Sequence, residues 1–167
     1  MKSLKINFLF ALLICCTCIN LKAQVRNSQI GAQSFVGEII IEADKSTVWN
    51  VLTNVREFCD IMEYKYLDGA RSFEKVGDYT HIEEWGERGV FMLTTYMLNK
   101  ELRYTLEPEN GSYICSERWT LTTTGNNTTV KLELRYTESG KQSSESINEQ
   151  VQHYNTVLMK LKRKAEY

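Results

Sequence analysis

The hydrophobic rhythm of the chain changes three times, and each change predicts an element. Phe35 to Glu42 is rich in β-branched residues, with Ile39-Ile40-Ile41 at its centre, and predicts a strand. Asp44 then offers an N-cap, and Val48, Val51, Leu52 and Val55 recur at helical spacing, with Trp49 widening the stripe. A second short helix follows over about Arg56 to Met62, with Phe58, Ile61 and Met62 on one side. From Tyr64 to Thr137 the period falls to two. Strands are predicted over Arg71–Val76, Tyr79–Trp85, Val90–Leu98, Glu101–Glu107, Ser112–Thr123 and Thr128–Thr137, after a first piece that Gly69 interrupts. The separating turns are Gly77-Asp78, Gly86 to Gly89, Asn99-Lys100, Pro108 to Gly111 and Gly125 to Asn127. Leu102, Tyr104 and Leu106 alternate with Arg103, Thr105 and Glu107; Val130, Leu132, Leu134 and Tyr136 alternate with Lys131, Glu133 and Arg135. One face of the sheet is therefore dry and the other wet.

The last change is back to a helix. Ser146 and Glu149 form a candidate capping box, and Ile147, Val151, Tyr154, Leu158, Leu161 and Ala165 form a stripe over about five turns. A sheet with one dry face must be covered, and only this helix is long enough to do it. The order predicts an α+β helix-grip architecture: a curved antiparallel sheet of about seven strands around a long C-terminal helix, with two short helices after the first strand. Such a sheet leaves space between itself and the helix.

The N-terminus stands apart. Two lysines in Met1 to Lys5 precede twelve largely apolar residues, Phe8 to Ile19, and Asn20-Leu21-Lys22-Ala23 leads into polar sequence. This is the pattern of a secretory signal, too short to span a bilayer, with cleavage expected after Ala23. The domain plan is a signal over 1–23, a flexible lead-in over 24–34 and one domain over 35–167. Export to the periplasm or beyond follows, with no membrane insertion after cleavage.

Charge and cysteine content refine this picture. Loss of Lys2, Lys5 and Lys22 with the leader moves the formal charge from −1 to about −4, which disfavours anionic ligands and nucleic acid. Cys15, Cys16 and Cys18 leave with the leader. An oxidising compartment permits a disulfide between the remaining Cys59 and Cys115, and two buried small hydrophobes is the plainer reading.

The passage from Ile39 to Asn54 carries a resemblance. A strand, Ala43, a short turn, Val48-Trp49 and then Leu52-Thr53-Asn54 is similar to the opening of the SRPBCC superfamily. That superfamily holds START lipid-transfer domains, the major birch-pollen allergen and polyketide cyclase/dehydrase-like proteins. Phe58 to Met62 departs from the Trp- or Pro-rich stretch that members often carry after the second short helix. The resemblance spans Phe35 to Tyr167 and implies the helix-grip fold with an enclosed apolar site. It does not choose among carriers, enzymes and regulators.

The chemistry-bearing residues are sparse. The histidines, His81 and His153, lack metal-ligand spacing, and neither a phosphate loop nor a serine elbow occurs, so no metal or other cofactor is expected. Glu117 shares strand parity with Tyr113, Cys115, Trp119 and Leu121, which would bury a carboxyl and raise its pKa. A bulge turning it outward, or pairing with Arg118 or Arg135, is the competing expectation. His81 is a cavity candidate if the face with Tyr79 and Trp85 is internal, and a surface residue if the face with Thr80, Ile82 and Glu84 is. Trp85, Tyr96, Tyr104, Trp119 and Tyr136 are further cavity candidates, with Tyr154 and Leu158 on the helix; core filling is the alternative for each. The expectation is a monomeric, exported binding protein for a small apolar, lipid- or polyketide-like ligand in an internal cavity. A cyclase/dehydratase-type enzyme using an internal carboxylate or histidine, and an interaction module with a filled core, stay open beside it.

Overall fold

A computed structural model describes residues 26–28, 34–138 and 144–167. The expected leader, its cleavage point and most of the lead-in lie outside the described residues. The elements run β1 Arg26–Ser28, β2 Ser34–Ile41, α1 Lys45–Thr53, α2 Val55–Met62, β3 Lys65–Gly69, β4 Tyr79–Glu84, β5 Glu87–Met97, β6 Glu101–Pro108, β7 Tyr113–Thr124, β8 Asn127–Glu138 and α3 Ser144–Glu166. All strands among the described residues form one antiparallel sheet in the order β1-β2-β8-β7-β6-β5-β4-β3. It is the expected helix-grip α+β fold, with eight strands where about seven were predicted. β1 is unexpected: it lies within the stretch read as lead-in and pairs with the start of β2.

Local chemistry accounts for the short helices. The Asp44 carboxylate accepts from the Thr47 amide at 2.8 Å and the Ser46 hydroxyl at 2.6 Å, and these bonds hold its pKa below the usual aspartate value. Asn54 ends α1 and begins α2. Its amide donates to the Asn50 carbonyl, while its side-chain oxygen accepts from the Arg56 and Glu57 amides. The sheet supplies a further cap: the Tyr104 hydroxyl donates to the Leu52 carbonyl at 2.9 Å, in full burial. A carbonyl in the last turn of α1 is thereby paired in a place water does not reach.

The long helix lies across the concave face. Tyr154, Val157, Leu158, Leu161 and Ala165 are buried, and α3 packs against β2, α1 and α2. Lys160 to Glu63 at 2.7 Å and Lys164 to Asp60 at 2.9 Å fasten it to α2 and the residue that follows α2. Under α1 and α2 the concave face is filled by rings. Phe91 stacks on Tyr104 at 4.7 Å and on Phe58 at 5.1 Å, Phe73 lies 5.1 Å from Tyr104, and Trp119 meets Phe58 edge-on at 6.0 Å.

Three expectations are corrected. Arg71–Val76 is a loop, not a strand. Asp78 gathers it by accepting from the Glu74 and Lys75 amides, and Phe73 drops from it into the core. The Gly86-to-Gly89 turn is instead the two-residue turn Trp85-Gly86, since Glu84 pairs directly with Glu87. Helix α3 begins at Ser144, so Ser146 lies inside its first turn and not at its cap.

Replacing Tyr104 with phenylalanine should leave the Leu52 carbonyl buried and unpaired, at a cost of about 1–3 kcal/mol. Urea denaturation of Tyr104→Phe against the parent measures it, and an unchanged midpoint would show that the hydroxyl is not a cap.

Candidate functional site

Strand β7 carries Glu117 to the interior. Its pairing is continuous with both neighbours, Glu117 facing Tyr104 on β6 and Leu134 on β8, so no bulge turns it outward. Arg118 points the other way and joins Glu101 at 2.7 Å and Glu133 at 3.3 Å, while Arg135 is exposed. The Glu117 side chain is fully buried. The Trp119 indole N–H donates to its Oε2 at 3.1 Å, and the Tyr64 hydroxyl lies 3.4 Å from Oε1. Burial is the largest influence and pushes its pKa up to about 8, against which the Trp119 and Tyr64 contacts act. At neutral pH Glu117 is a neutral acid.

A second carboxyl approaches from β4. Glu84 is buried, accepts a short hydrogen bond from the Tyr113 hydroxyl, and is raised in pKa by desolvation, partly offset by that bond. Beyond it the sheet and the first half of α3 diverge. The opening is a cleft of about 650 Å³ whose walls include Glu84, Trp85, Tyr113 and Tyr136 from the sheet and Gln150 and His153 from α3. It narrows inward to a recess of about 10 Å³, bordered by Tyr64, Leu106, Cys115 and Tyr154, with room for about one water molecule.

The candidates from sequence divide among these places. Trp85 and Tyr136 line the cleft, and Tyr154 lines the space behind it. Glu117 lies one layer deeper and reaches that space only through Tyr64. Trp119, Tyr104 and Leu158 are core. Tyr96 is turned inward by the bulge in β5 between Leu93 and Thr95 and packs edge-on against Trp49, 5.2 Å between centroids. His81 is corrected to a position outside the site. Thr80, Ile82 and Glu84 take the buried face of β4, and His81 bonds to Asp68 on the other. Cys59 and Cys115 are both free and buried, and burial raises both thiols.

Trp85 shares the exposed parity of β4 yet reaches the cleft because of its backbone. It is left-handed at φ 48°, and Gly86 follows at φ 86°, the two positive values of a type I′ turn. Asparagine or glycine is the usual residue there, and a bulky side chain costs about 1 kcal/mol. Trp85 is nevertheless 73% exposed. The sequence also did not single out His153, Glu84, Tyr64 and Tyr113 as site residues. Of these only Tyr113 has its facing readable from strand parity; the divergence of α3 from the sheet, which makes the cleft, is a property of the assembled fold.

The fold recurs in solved structures. A protein from Arthrobacter aurescens matches at a TM-score of 0.64 and 15% identity, covering 84% of this chain and 90% of its own. CalU16 from Micromonospora echinospora matches at 0.58 and 17%, covering 86% and 83%. Ara h 8.0201 matches at 0.61 and 9%, covering 81% and 98%. These likenesses, all below 20% identity, show that this chain has the same helix-grip fold. No protein-family model and no curated protein matches it.

The buried acid makes stability depend on pH in a defined direction. Its folded pKa stands above the unfolded value of 4.5, so folding is unpenalised below that value and loses stability as pH rises from there to about 8. Glu117→Gln keeps the shape and cannot ionise. It should flatten this fall and be the more stable protein at pH 8 by an amount on the order of a few kcal/mol, converging with the parent near pH 4. Parallel pH dependence of the two urea midpoints would show that Glu117 ionises freely in the folded state.

Proposed function

We propose that the protein is an exported, non-catalytic binding protein whose cleft, at the open end of the grip, holds a small and largely apolar ligand. The observation that carries this reading is the cleft itself, ringed by Trp85, Tyr113, Tyr136 and His153, with one of those rings held on a strained turn. Aromatic walls with a few convergent polar groups are the common make-up of small-molecule sites. A largely exposed tryptophan in an unfavourable backbone conformation buries little surface to offset its cost, and such strain collects at functional sites. The ligand is placed in the cleft rather than deep in the grip because the aromatic core and the small inner space leave no room for a larger body there.

Export rests on the Met1-to-Ala23 pattern. The non-catalytic reading rests on access. Glu117 borders neither the cleft nor the inner space, and a general acid must reach the group it protonates; Glu84, which does line the cleft, has its carboxyl engaged by the Tyr113 hydroxyl.

Two measurements test the reading. Native mass spectrometry of residues 24–167, purified gently from exporting cells, should show a bound mass released on denaturation. The neutral dye Nile red should bind with enhanced emission, and Trp85→Asn should weaken that binding while raising stability by about 1 kcal/mol through relief of the turn. An empty protein that also leaves Nile red unchanged would overturn the reading and favour an interaction module with a filled core.

A further inference from the structure

His153 is held from two sides and satisfied on one. Its Nδ1 lies 3.5 Å from the Glu63 carboxylate, and Trp85 meets its ring edge-on at 6.1 Å. Both holders are strained. Of the three non-glycine residues with positive φ among the described residues, Glu63 at 64° and Trp85 at 48° are two. The Nε2 nitrogen is buried and has no hydrogen-bond partner among the described residues. Glu63 is itself fixed by Lys160, which is the main reason its pKa is lowered, so it is a carboxylate and favours the ring proton on the Nδ1 that faces it. Desolvation lowers the His153 pKa and keeps the ring neutral. The bare nitrogen is therefore Nε2, a hydrogen-bond acceptor on a residue that lines both the cleft and the inner space.

The charge of the cleft points the same way. Glu84, Glu87 and Glu149 are on its walls, and among the described residues that line it there is no lysine or arginine. Trp85, Tyr113 and Tyr136 add π faces, which attract cations. An anion would meet repulsion from each of these groups. A neutral donor would satisfy Nε2 alone. A protonated amine satisfies all three features: its N–H matches Nε2, its charge matches the carboxylates, and its hydrocarbon part matches the rings. It would also compensate the buried Glu84 carboxyl, whose charge the site otherwise suppresses.

We propose that the ligand of this cleft is an organic amine, an ammonium group on an aromatic or aliphatic body, with His153 Nε2 accepting its N–H and Glu84 among the groups that balance its charge. This rests on the reading of the cleft as a ligand site and names the class of ligand.

The test uses four probes of one shape: 1-naphthylmethylamine, its N,N,N-trimethyl ammonium analogue, 1-naphthalenemethanol and 1-naphthoic acid. Affinities are measured by calorimetry at neutral pH on residues 24–167. The amine should bind roughly tenfold tighter than the alcohol, and the acid more weakly than either. The trimethyl analogue, cationic but without an N–H, should fall between amine and alcohol. His153→Phe keeps a ring and removes the acceptor. It should bring the amine down to the trimethyl analogue while leaving that analogue unchanged, and its amide NMR spectrum shows whether the fold is kept. If His153→Phe does not fold, the ranking of the four probes on the parent protein decides alone. Equal binding of all four, or tightest binding of the acid, overturns the amine assignment while the cleft stands as a ligand site. Binding of none of them, with Nile red also unbound, overturns the ligand-site reading itself.

Discussion

The structure depends on how a strongly curved sheet fills its own concave side. A helix laid across a curved sheet touches it well only along part of its length, and the remaining volume must be filled or opened. Here the two ends are treated differently. Under α1 and α2 the volume is occupied by Phe58, Phe73, Phe91, Tyr104 and Trp119, all fully buried and in ring contact. At the other end, the first half of α3 stands off from the β4–β5 turn and from Tyr113 and Tyr136, and the cleft results. Well-packed rings at one end thus fix where a ligand would sit at the other.

The polar groups follow from that division. Where the core is dense, each buried polar atom has a structural partner: Tyr104 caps α1, and Glu117 is met by Trp119 and Tyr64. Where the core opens, satisfaction stops. Glu84 keeps one hydroxyl partner, and His153 Nε2 keeps none. The strained backbones of Glu63 and Trp85 flank that same histidine. Arg118 Nε is the other buried side-chain polar atom without a partner among the described residues, but only at His153 do strain and an orphaned acceptor coincide, as a preorganised binding site requires.

Much of the fold was legible in the sequence because its signals are local or periodic. The parity of β7 made Glu117 an interior candidate beside the competing outward bulge, and Asp44 announced α1. The α3 stripe gave the helix its buried face. Misreadings came where geometry overrides pattern. Arg71–Val76 alternates like a strand but is gathered into a loop by Asp78, whose carboxylate accepts from the Glu74 and Lys75 amides. Trp85-Gly86 turns the chain with a residue poorly suited to the conformation, so the tighter turn did not show as one. The bulge in β5 reverses parity after Leu93 and takes Tyr96 to Trp49. The site was half legible: Trp85, Tyr136 and Tyr154 were anticipated, whereas His153 acquires meaning only when α2 brings Glu63 beneath it and the turn brings Trp85 over it.

The central claim is that the ligand occupies the cleft and not the depth of the grip. The three tryptophans report on this separately, since Trp85 stands at the cleft while Trp49 and Trp119 are buried among α1 and the aromatic core. Their indole N–H resonances, followed by two-dimensional NMR as 1-naphthylmethylamine is added, make the decisive measurement. The account predicts a large, saturable shift of the Trp85 signal with Trp49 and Trp119 nearly unmoved. A dominant shift of Trp119, or saturation of binding with Trp85 unmoved, would contradict it.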